Sequence, residues 1–190
     1  MNSNISRFLL LVGLLEILVF MTACNKKSPQ AYRAWVEEHL QSKKQVDGYK
    51  LSALYIPEEL HLQGIENQIT EDTNSYHYFQ FNIYRLTSEL TTVSQREAQK
   101  VQQEVIRDFY AYRAETDFVL LSGLDSIPCV LAHAEEASDQ GRIRISLVFP
   151  ETPLGEDPHL IFKGNGLGIT PSHYVFSRAT ITNRPALKLP

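Results

Sequence analysis

Residues 76–86 read YHYFQFNIYRL, and this stretch decides the fold. Apolar and polar or tyrosine side chains alternate along it, which predicts a β-strand because successive side chains of a strand point to opposite faces. One side carries His77, Phe79, Phe81, Ile83 and Arg85, and the other carries Tyr76, Tyr78, Gln80, Asn82 and Tyr84. We expect the side with the two phenylalanines to face the core.

Further short segments of β-forming residues are spaced along the rest of the chain. Asp47-Gly48 is a turn signal directly before the first of them, and Pro57 ends that strand. A polar connection over 57–74 separates it from the tyrosine-rich strand. The other predicted strands are Tyr49–Ile56, Phe118–Leu121, Ile127–His133, Arg142–Phe149, His159–Phe162 and His173–Thr182.

Two segments have helical periodicity. Ala31–Lys43 repeats apolar residues at the spacing of one helix face, and Ser94–Tyr112 opens with a capping-box pattern. The expected buried stripe of the second helix is Ala98, Val101, Val105, Phe109 and Tyr112. The sequence therefore predicts an α+β fold, an antiparallel, strand-rich sheet or sandwich-like body with two helices. We expect residues 31–190 to form one globular domain.

Composition excludes several functional classes. The chain of 190 residues has a net charge of −4 and a pI near 5.9, whereas a nucleic-acid-binding domain is usually strongly basic. An apolar content of 43% with nine Tyr and nine Phe favours a packed globule. The sequence shows no zinc-binding or cofactor motif, and we expect neither a metal nor a cofactor.

The N-terminal segment has the pattern of a signal peptide. Arg7 precedes the apolar run Phe8–Met21, and small residues follow at Thr22 and Ala23. The run is shorter than the roughly 20 residues of a spanning helix, and it contains Glu16. We therefore predict a cleaved signal peptide over residues 1–23.

Met21-Thr22-Ala23-Cys24 resembles the bacterial lipobox, in which the cysteine becomes the lipid-bearing N-terminus. The resemblance implies that Cys24 is acylated on sulfur and amine, so that three acyl chains hold the protein on a membrane. Residues 24–30 would be a tether. The alternatives are a secretory signal with an incidental cysteine and an uncleaved anchor.

The rest of the chain is similar to small lipoproteins of Bacteroidota. The similarity lies in Lys43-Lys44, in Tyr55–Glu59, in Asp125–Pro128 and in the closing segment 185–189. No acidic residue follows Cys24 before Glu37, whereas such residues often signal surface export in these lipoproteins. The resemblance implies an outer-membrane lipoprotein facing the periplasm, and it carries over no functional residue except Cys24.

Two motifs have simple structural explanations. Gly164-Asn165-Gly166-Leu167-Gly168 is rich in glycine like a phosphate-binding loop, but a predicted strand follows it where such a loop needs a helix. We interpret it as a turn between antiparallel strands. Cys129 lies among apolar residues and is interpreted as a buried thiol.

Clusters of acidic residues and histidines are weak indications of a catalytic or metal-binding site. Glu156-Asp157-Pro158-His159 lacks the ligand count of a calcium loop. His133 and Glu135 share one face of a strand, but no nucleophile motif accompanies them. Asp125-Ser126-Ile127 resembles the O-glycosylation acceptor of Bacteroidota, which would place a glycan on Ser126. A turn before Pro128 explains the same residues.

The row Tyr76, Tyr78 and Tyr84 is a candidate interaction surface, because aromatic side chains with a polar tip are enriched at interfaces. The alternative is that a second layer of the protein covers it. Our leading hypothesis is a lipid-anchored interaction or assembly module that binds another envelope protein. The second is an inhibitor or immunity-type lipoprotein that binds a hydrolase or toxin in the periplasm, where the acidic pairs Glu58-Glu59 and Glu135-Glu136 would meet a basic partner. The third is an enzyme with His133 or His159 in a pocket.

Overall fold

The structure is a computed structural model that describes residues 26–62, 76–86, 104–136, 142–151 and 156–188. The predicted signal peptide, Cys24 and the capping box at Ser94 lie outside these residues, as do Ala98 and Val101. The observed fold is α+β with mainly antiparallel sheets, as predicted. In the described part of the chain, no helix has the length and hydropathy needed to cross a membrane.

The elements are numbered here in chain order. The strands are β1 (Lys26–Lys27), β2 (Gln41–Val46), β3 (Tyr49–Ile56), β4 (Tyr76–Arg85), β5 (Phe118–Ser122), β6 (Asp125–Pro128), β7 (Leu131–Glu136), β8 (Arg142–Pro150), β9 (His159–Phe162), β10 (Ser172–Val175) and β11 (Ala186–Leu187). The α-helices are α1 (Pro29–His39), α2 (Glu58–Leu62), α3 (104–112) and α4 (Arg178–Thr182), and Ala114–Asp117 forms a 3-10 turn.

The chain divides into two compact units. The first consists of 1–34 with 184–190, and the second consists of 35–183. In the first unit, β1 and β11 pair in parallel, and the Lys188 amide donates a hydrogen bond to the Lys27 carbonyl at 2.8 Å. The single domain expected over residues 31–190 stays a prediction.

The second unit contains a five-stranded antiparallel sheet in the order β2-β3-β4-β8-β7. The tyrosine-rich strand β4 is its centre, and Phe79, Phe81 and Ile83 are buried as predicted. The β2–β3 hairpin turns at Asp47 and Gly48, which both have positive φ. Positive φ at both positions suits a two-residue turn because it matches the twist of the strands.

A four-stranded antiparallel sheet, in the order β10-β9-β5-β6, packs on the five-stranded sheet. Aromatic rings fill the space between them. The ring of Phe81 lies 5.0 Å from Phe118, 4.8 Å from Phe162 and 5.4 Å from Tyr174 between centroids. The alternation of residues 76–86 thus places one face of β4 in the core of a sandwich and leaves its other face outside that core.

The predicted end of the first helix was wrong. The helix stops at His39, and the polar residues 41–46 form β2 at the edge of the sheet. An edge strand needs few apolar side chains, and lysines on such a strand discourage pairing with other chains. β2 therefore has no apolar alternation that the sequence analysis could have detected.

Two predicted strands were also wrong in part. Ile127–His133 is broken at Cys129 and Val130, where the chain passes from the four-stranded to the five-stranded sheet. His173–Thr182 is a strand only to Val175, and its second half is the helix α4. Ser177 caps that helix by accepting a hydrogen bond from the Thr180 amide at 3.2 Å, and a capping serine favours a helix start.

The stripe predicted for the second helix was wrong at Val105 and Tyr112, whereas Phe109 is half-buried and its ring packs against Tyr110. Val105 is 62% exposed and Tyr112 is 81% exposed, whereas Ile106 and Tyr110 are buried. The side chain of Tyr110 reaches the carboxylate of Asp117, and this buried polar contact is invisible to a count of apolar residues. The buried face is therefore displaced by about one residue along the helix.

Candidate functional site

The candidate site is the face of the five-stranded sheet turned away from the aromatic core, here called the outer face. Directly paired residues of antiparallel strands lie side by side on one face. Four neighbouring rows cross the outer face, running from β2 or β3 to β8 or β7. They are Gln45-Lys50-Tyr84-Arg142, Lys43-Ser52-Asn82-Arg144-Glu135, Gln41-Leu54-Gln80-Ser146-His133 and Ile56-Tyr78-Val148-Leu131.

One end of the outer face, here called the basic end, consists of Lys43, Lys50, Tyr84 and Arg142. Tyr84 is 43% exposed and is paired directly with Lys50 on one side and Arg142 on the other. A cavity of about 650 Å³ opens here, and none of the described residues that line it is a carboxylate. Among the described residues, none of the three cations forms an ion pair. Within the described part of the chain, the basic end therefore carries positive charge that no carboxylate pairs with.

The floor beside the basic end is polar. The Asn82 amide nitrogen donates to the Ser52 hydroxyl at 3.3 Å, and the Asn82 oxygen accepts from the Gln80 amide at 3.3 Å. Arg144 lies 3.8 Å from Glu135 at the nearest ionic atoms. Its buried Nε has no hydrogen-bond partner among the described residues. This part of the face retains an unused hydrogen-bond donor.

The other end of the outer face, here called the apolar end, consists of Ile56, Tyr76, Tyr78, Val148 and Leu131. The rings of Tyr76 and Tyr78 lie 6.4 Å apart between centroids, and Leu131 is 59% exposed. Burial raises the pKa of the Tyr78 hydroxyl, and the nearby negative charge of Glu58 adds to the effect. The apolar end thus combines partly exposed rings with an exposed aliphatic side chain.

The structure divides the predicted tyrosine row between these two ends. All three residues lie on the face opposite Phe79 and Phe81, as the alternation predicted. Tyr84 is exposed at the basic end, while Tyr76 and Tyr78 are half-buried at the apolar end. The role of Tyr76, Tyr78 and Tyr84 in an interaction surface stays a prediction.

The glycine-rich segment is a turn between the antiparallel strands β9 and β10, as interpreted from the sequence. Its backbone amides already bind an internal anion. The Asp117 carboxylate accepts from the amides of Asn165 at 2.8 Å and Gly166 at 3.2 Å, and from the Tyr110 hydroxyl at 2.9 Å. The amides that a phosphate would need are therefore occupied by the protein itself.

Cys129 is buried, as expected. Its thiol contacts the carbonyl oxygens of Leu131 at 3.1 Å and Val148 at 3.5 Å. Burial raises the pKa of the Cys129 thiol to about 11. The thiol is therefore almost fully protonated near neutral pH, and a thiol in this state is a poor nucleophile.

The structure does not bring the acids and histidines into one cluster. The described residues hold no group of three His, Cys, Asp or Glu side chains suited to a metal ion. Asp157 instead accepts a hydrogen bond from the Arg178 amide at 2.8 Å, beside the start of α4. A second cavity of about 300 Å³ lies between α3 and strands β7 and β8. Neither cavity is lined by His133 or His159.

The remaining predicted residues lie apart from one another. Ser126 is exposed on β6, at the edge of the four-stranded sheet, so its hydroxyl is accessible to a modifying enzyme. Its glycosylation stays a prediction. Glu58 is exposed on α2, while Glu135 faces Arg144 and is partly neutralised by it. The side chain of Glu136 lies outside the described residues.

Sequence reasoning missed the basic end. Lys43 and Lys50 belong to one hairpin, and recognition of β2 as a strand would have placed them on the same face. Arg142 joins them only through the pairing of β4 with β8, which are separated by more than fifty residues in the chain. Local patterns carry no signal of that pairing.

No family model, curated protein or solved structure matches this chain.

Proposed function

We propose that this protein is a lipid-anchored, periplasm-facing envelope protein that binds another envelope protein through the outer face of its five-stranded sheet. The observation that carries the proposal is the outer face itself. It joins an apolar end, where Leu131 is 59% exposed, to a basic end, where Tyr84 is 43% exposed. Aromatic and arginine side chains are the ones that most often anchor protein interfaces.

The anchor supports the same proposal. The signal-peptide pattern and the lipobox-like Met21-Thr22-Ala23-Cys24 would hold the sheet near a membrane. A lipid anchor raises the local concentration of a protein around other membrane-bound proteins, so that a modest interface is sufficient for assembly. In this account the lipid supplies location, and the outer face supplies recognition.

The test is purification of the tagged full-length chain, after crosslinking in cells, with identification of the proteins that accompany it. The face variant combines Tyr84→Ser with Leu131→Ser, because both side chains are exposed and their loss leaves the core intact. The control combines Leu124→Ser with Val175→Ser, two exposed apolar residues of the four-stranded sheet and its β5–β6 turn. Cys24→Ala tests the anchor.

We expect one envelope protein to accompany the wild type and the control, and to fall about tenfold with the face variant, as for loss of two interface anchors. Cys24→Ala should weaken recovery of the same protein. A partner set that is identical for the wild type, the face variant and the control would contradict the proposal.

A further inference from the structure

We propose that the basic end binds a segment of the partner protein that is rich in Asp and Glu and is followed by apolar residues. This inference rests on the proposed function, and it names the chemistry of the partner. Lys43, Lys50 and Arg142, together with Lys44, line one cavity of about 650 Å³, and none of the described residues that line it is a carboxylate.

The positive charge of the basic end is local. The whole chain has a net charge of −4, so three cations around Tyr84 that form no ion pair with a described residue run against the overall balance. A concave site lined by one sign of charge concentrates ligands of the opposite sign. Carboxylates suit this site because lysine and arginine both donate charge-assisted hydrogen bonds to them.

Protection of a sheet edge does not account for these cations. Lysines on an edge strand discourage pairing with other chains, which explains Lys43 on β2. Lys50 and Arg142, however, lie on β3 and β8, and both are interior strands of the five-stranded sheet. The charge of Lys50 therefore does not protect an edge, and Lys50 and Arg142 are directly paired with the same tyrosine.

The apolar end selects a protein ligand over an anionic polysaccharide. The row that contains Tyr78, Val148 and Leu131 is two rows away from Asn82 on the same face. A peptide that carries acids and then leucine or phenylalanine would fill both ends, since its apolar side chains would cover Leu131 and its carboxylates would reach Lys50. A sugar acid would leave the apolar end uncovered.

Fluorescence anisotropy tests this inference directly. The protein is the full-length chain in detergent, and the probe is a labelled peptide in which four Asp and Glu residues precede Leu and Phe residues. The matched ligand has Asn and Gln in place of the acids. A polygalacturonate fragment and soluble glycerol phosphate represent other anions.

The variant carries Lys43→Gln, Lys50→Gln and Arg142→Gln. A control with the same charge change carries Lys26→Gln, Arg113→Gln and Lys188→Gln. We expect the acidic peptide to bind the wild type and the control alike, and the variant about tenfold more weakly, as for loss of three exposed cations. The neutral peptide should bind the wild type as weakly as the acidic peptide binds the variant. Added salt should weaken binding of the acidic peptide to the wild type.

A conservative variant separates charge from folding. Lys43→Arg with Lys50→Arg and Arg142→Lys keeps the three charges and should bind the acidic peptide within about threefold of the wild type. The inference is overturned if the acidic peptide does not bind below about 1 mM. It is also overturned if polygalacturonate or glycerol phosphate binds more tightly than the acidic peptide, or if the neutral peptide binds equally well.

The two proposals fail in different ways. If Leu131→Ser and Tyr84→Ser abolish recovery of the partner in cells but the acidic peptide does not bind, the partner chemistry is wrong and the interaction surface stands. If the face variant keeps its partner, the proposed function is wrong whatever the peptide does.

Discussion

The hydroxyl of Tyr110 donates a hydrogen bond to the buried carboxylate of Asp117 at 2.9 Å, which joins helix α3 to the 3-10 turn before β5. The same carboxylate accepts from two amides of the glycine-rich turn. Burial raises the pKa of the Tyr110 hydroxyl, and the negative charge of Asp117 raises it further. One buried anion therefore connects three separate segments of the chain.

Asp117→Ala should lower the free energy of unfolding by about 2–4 kcal/mol, because it leaves the buried Tyr110 hydroxyl and two partly buried backbone amides without their acceptor. Tyr110→Phe removes one of the three hydrogen bonds and should cost about 1.5–3 kcal/mol. Urea unfolding followed by circular dichroism measures both.

The exposed Glu115, two residues away, is the control. Glu115→Ala should change the free energy of unfolding by less than about 0.5 kcal/mol. Equal effects of the Asp117 and Glu115 substitutions would show that the carboxylate does not hold the three segments together.

Gly166→Ala should destabilise the protein because the added methyl group would collide with the ring of Phe109 and approach Tyr110. Overpacking of this kind costs about 1–3 kcal/mol. Gly168→Ala is the matched control, since its methyl group meets nothing within 4 Å and only the φ of +65° opposes it. We expect thermal unfolding to show the larger loss for Gly166→Ala, and the reverse order would be incompatible with the packing described.

The contact between Asp47 and Thr170 should depend on pH. The Thr170 amide donates to the Asp47 carboxylate at 2.8 Å, and this bond lowers the pKa of Asp47 below 3.8. A lowered pKa in the folded state means that the contact stabilises the protein above the unfolded pKa and is lost as pH falls through the folded pKa.

The chemical shift of the Thr170 amide, measured by NMR, should therefore titrate with a midpoint below 3.8. Asp47→Asn should remove that titration, while Asn retains the tolerance for positive φ that this turn requires. A midpoint at or above 3.8 would exclude the contact.

Cys129 should react slowly with thiol reagents while the protein is folded. Because burial raises its pKa from 9.0 to about 11, the thiolate fraction near pH 8 is about 100-fold lower than in the unfolded chain. The rate of reaction with a thiol reagent is measured with and without urea. The protein carries Cys24→Ala, so that Cys129 is its remaining cysteine.

The raised pKa of Cys129 also makes the stability of the folded protein depend on pH. The protonated thiol of Cys129 contributes stability to the folded protein. This stability is fully present below pH 9.0 and is lost as pH rises through about 11. A reaction rate at pH 8 that is the same in the folded and unfolded protein would contradict the buried, protonated state.

Much of the β-structure could be predicted from local sequence. The strands Tyr49–Ile56 and His159–Phe162 have the predicted bounds, because each is rich in β-forming residues and ends at a proline or a glycine-rich turn. The buried side of β4 was predicted for the same reason. In these segments one face of the strand packs in the core and the other does not, and the residue types on the two faces differ accordingly.

Features that depend on distant partners could not be predicted. β2 is polar except for Val46, and only its pairing with β3 makes it a strand. The buried face of α3 is set by the contact of Tyr110 with Asp117, and the basic end is assembled by the pairing of Tyr84 with Arg142. These arrangements arise from tertiary contacts, which no periodicity in the sequence records.

The most direct test of the central claim is site-specific photo-crosslinking of the full-length chain in cells. A photoreactive phenylalanine analogue replaces Tyr84 or Leu131 on the outer face, and Leu124 or Val175 as exposed controls on the four-stranded sheet and its turn. We predict that both outer-face positions give an adduct with the same envelope protein and that the control positions give none. Adducts at all four positions alike, or at the controls alone, would contradict the assignment of the outer face as the binding surface.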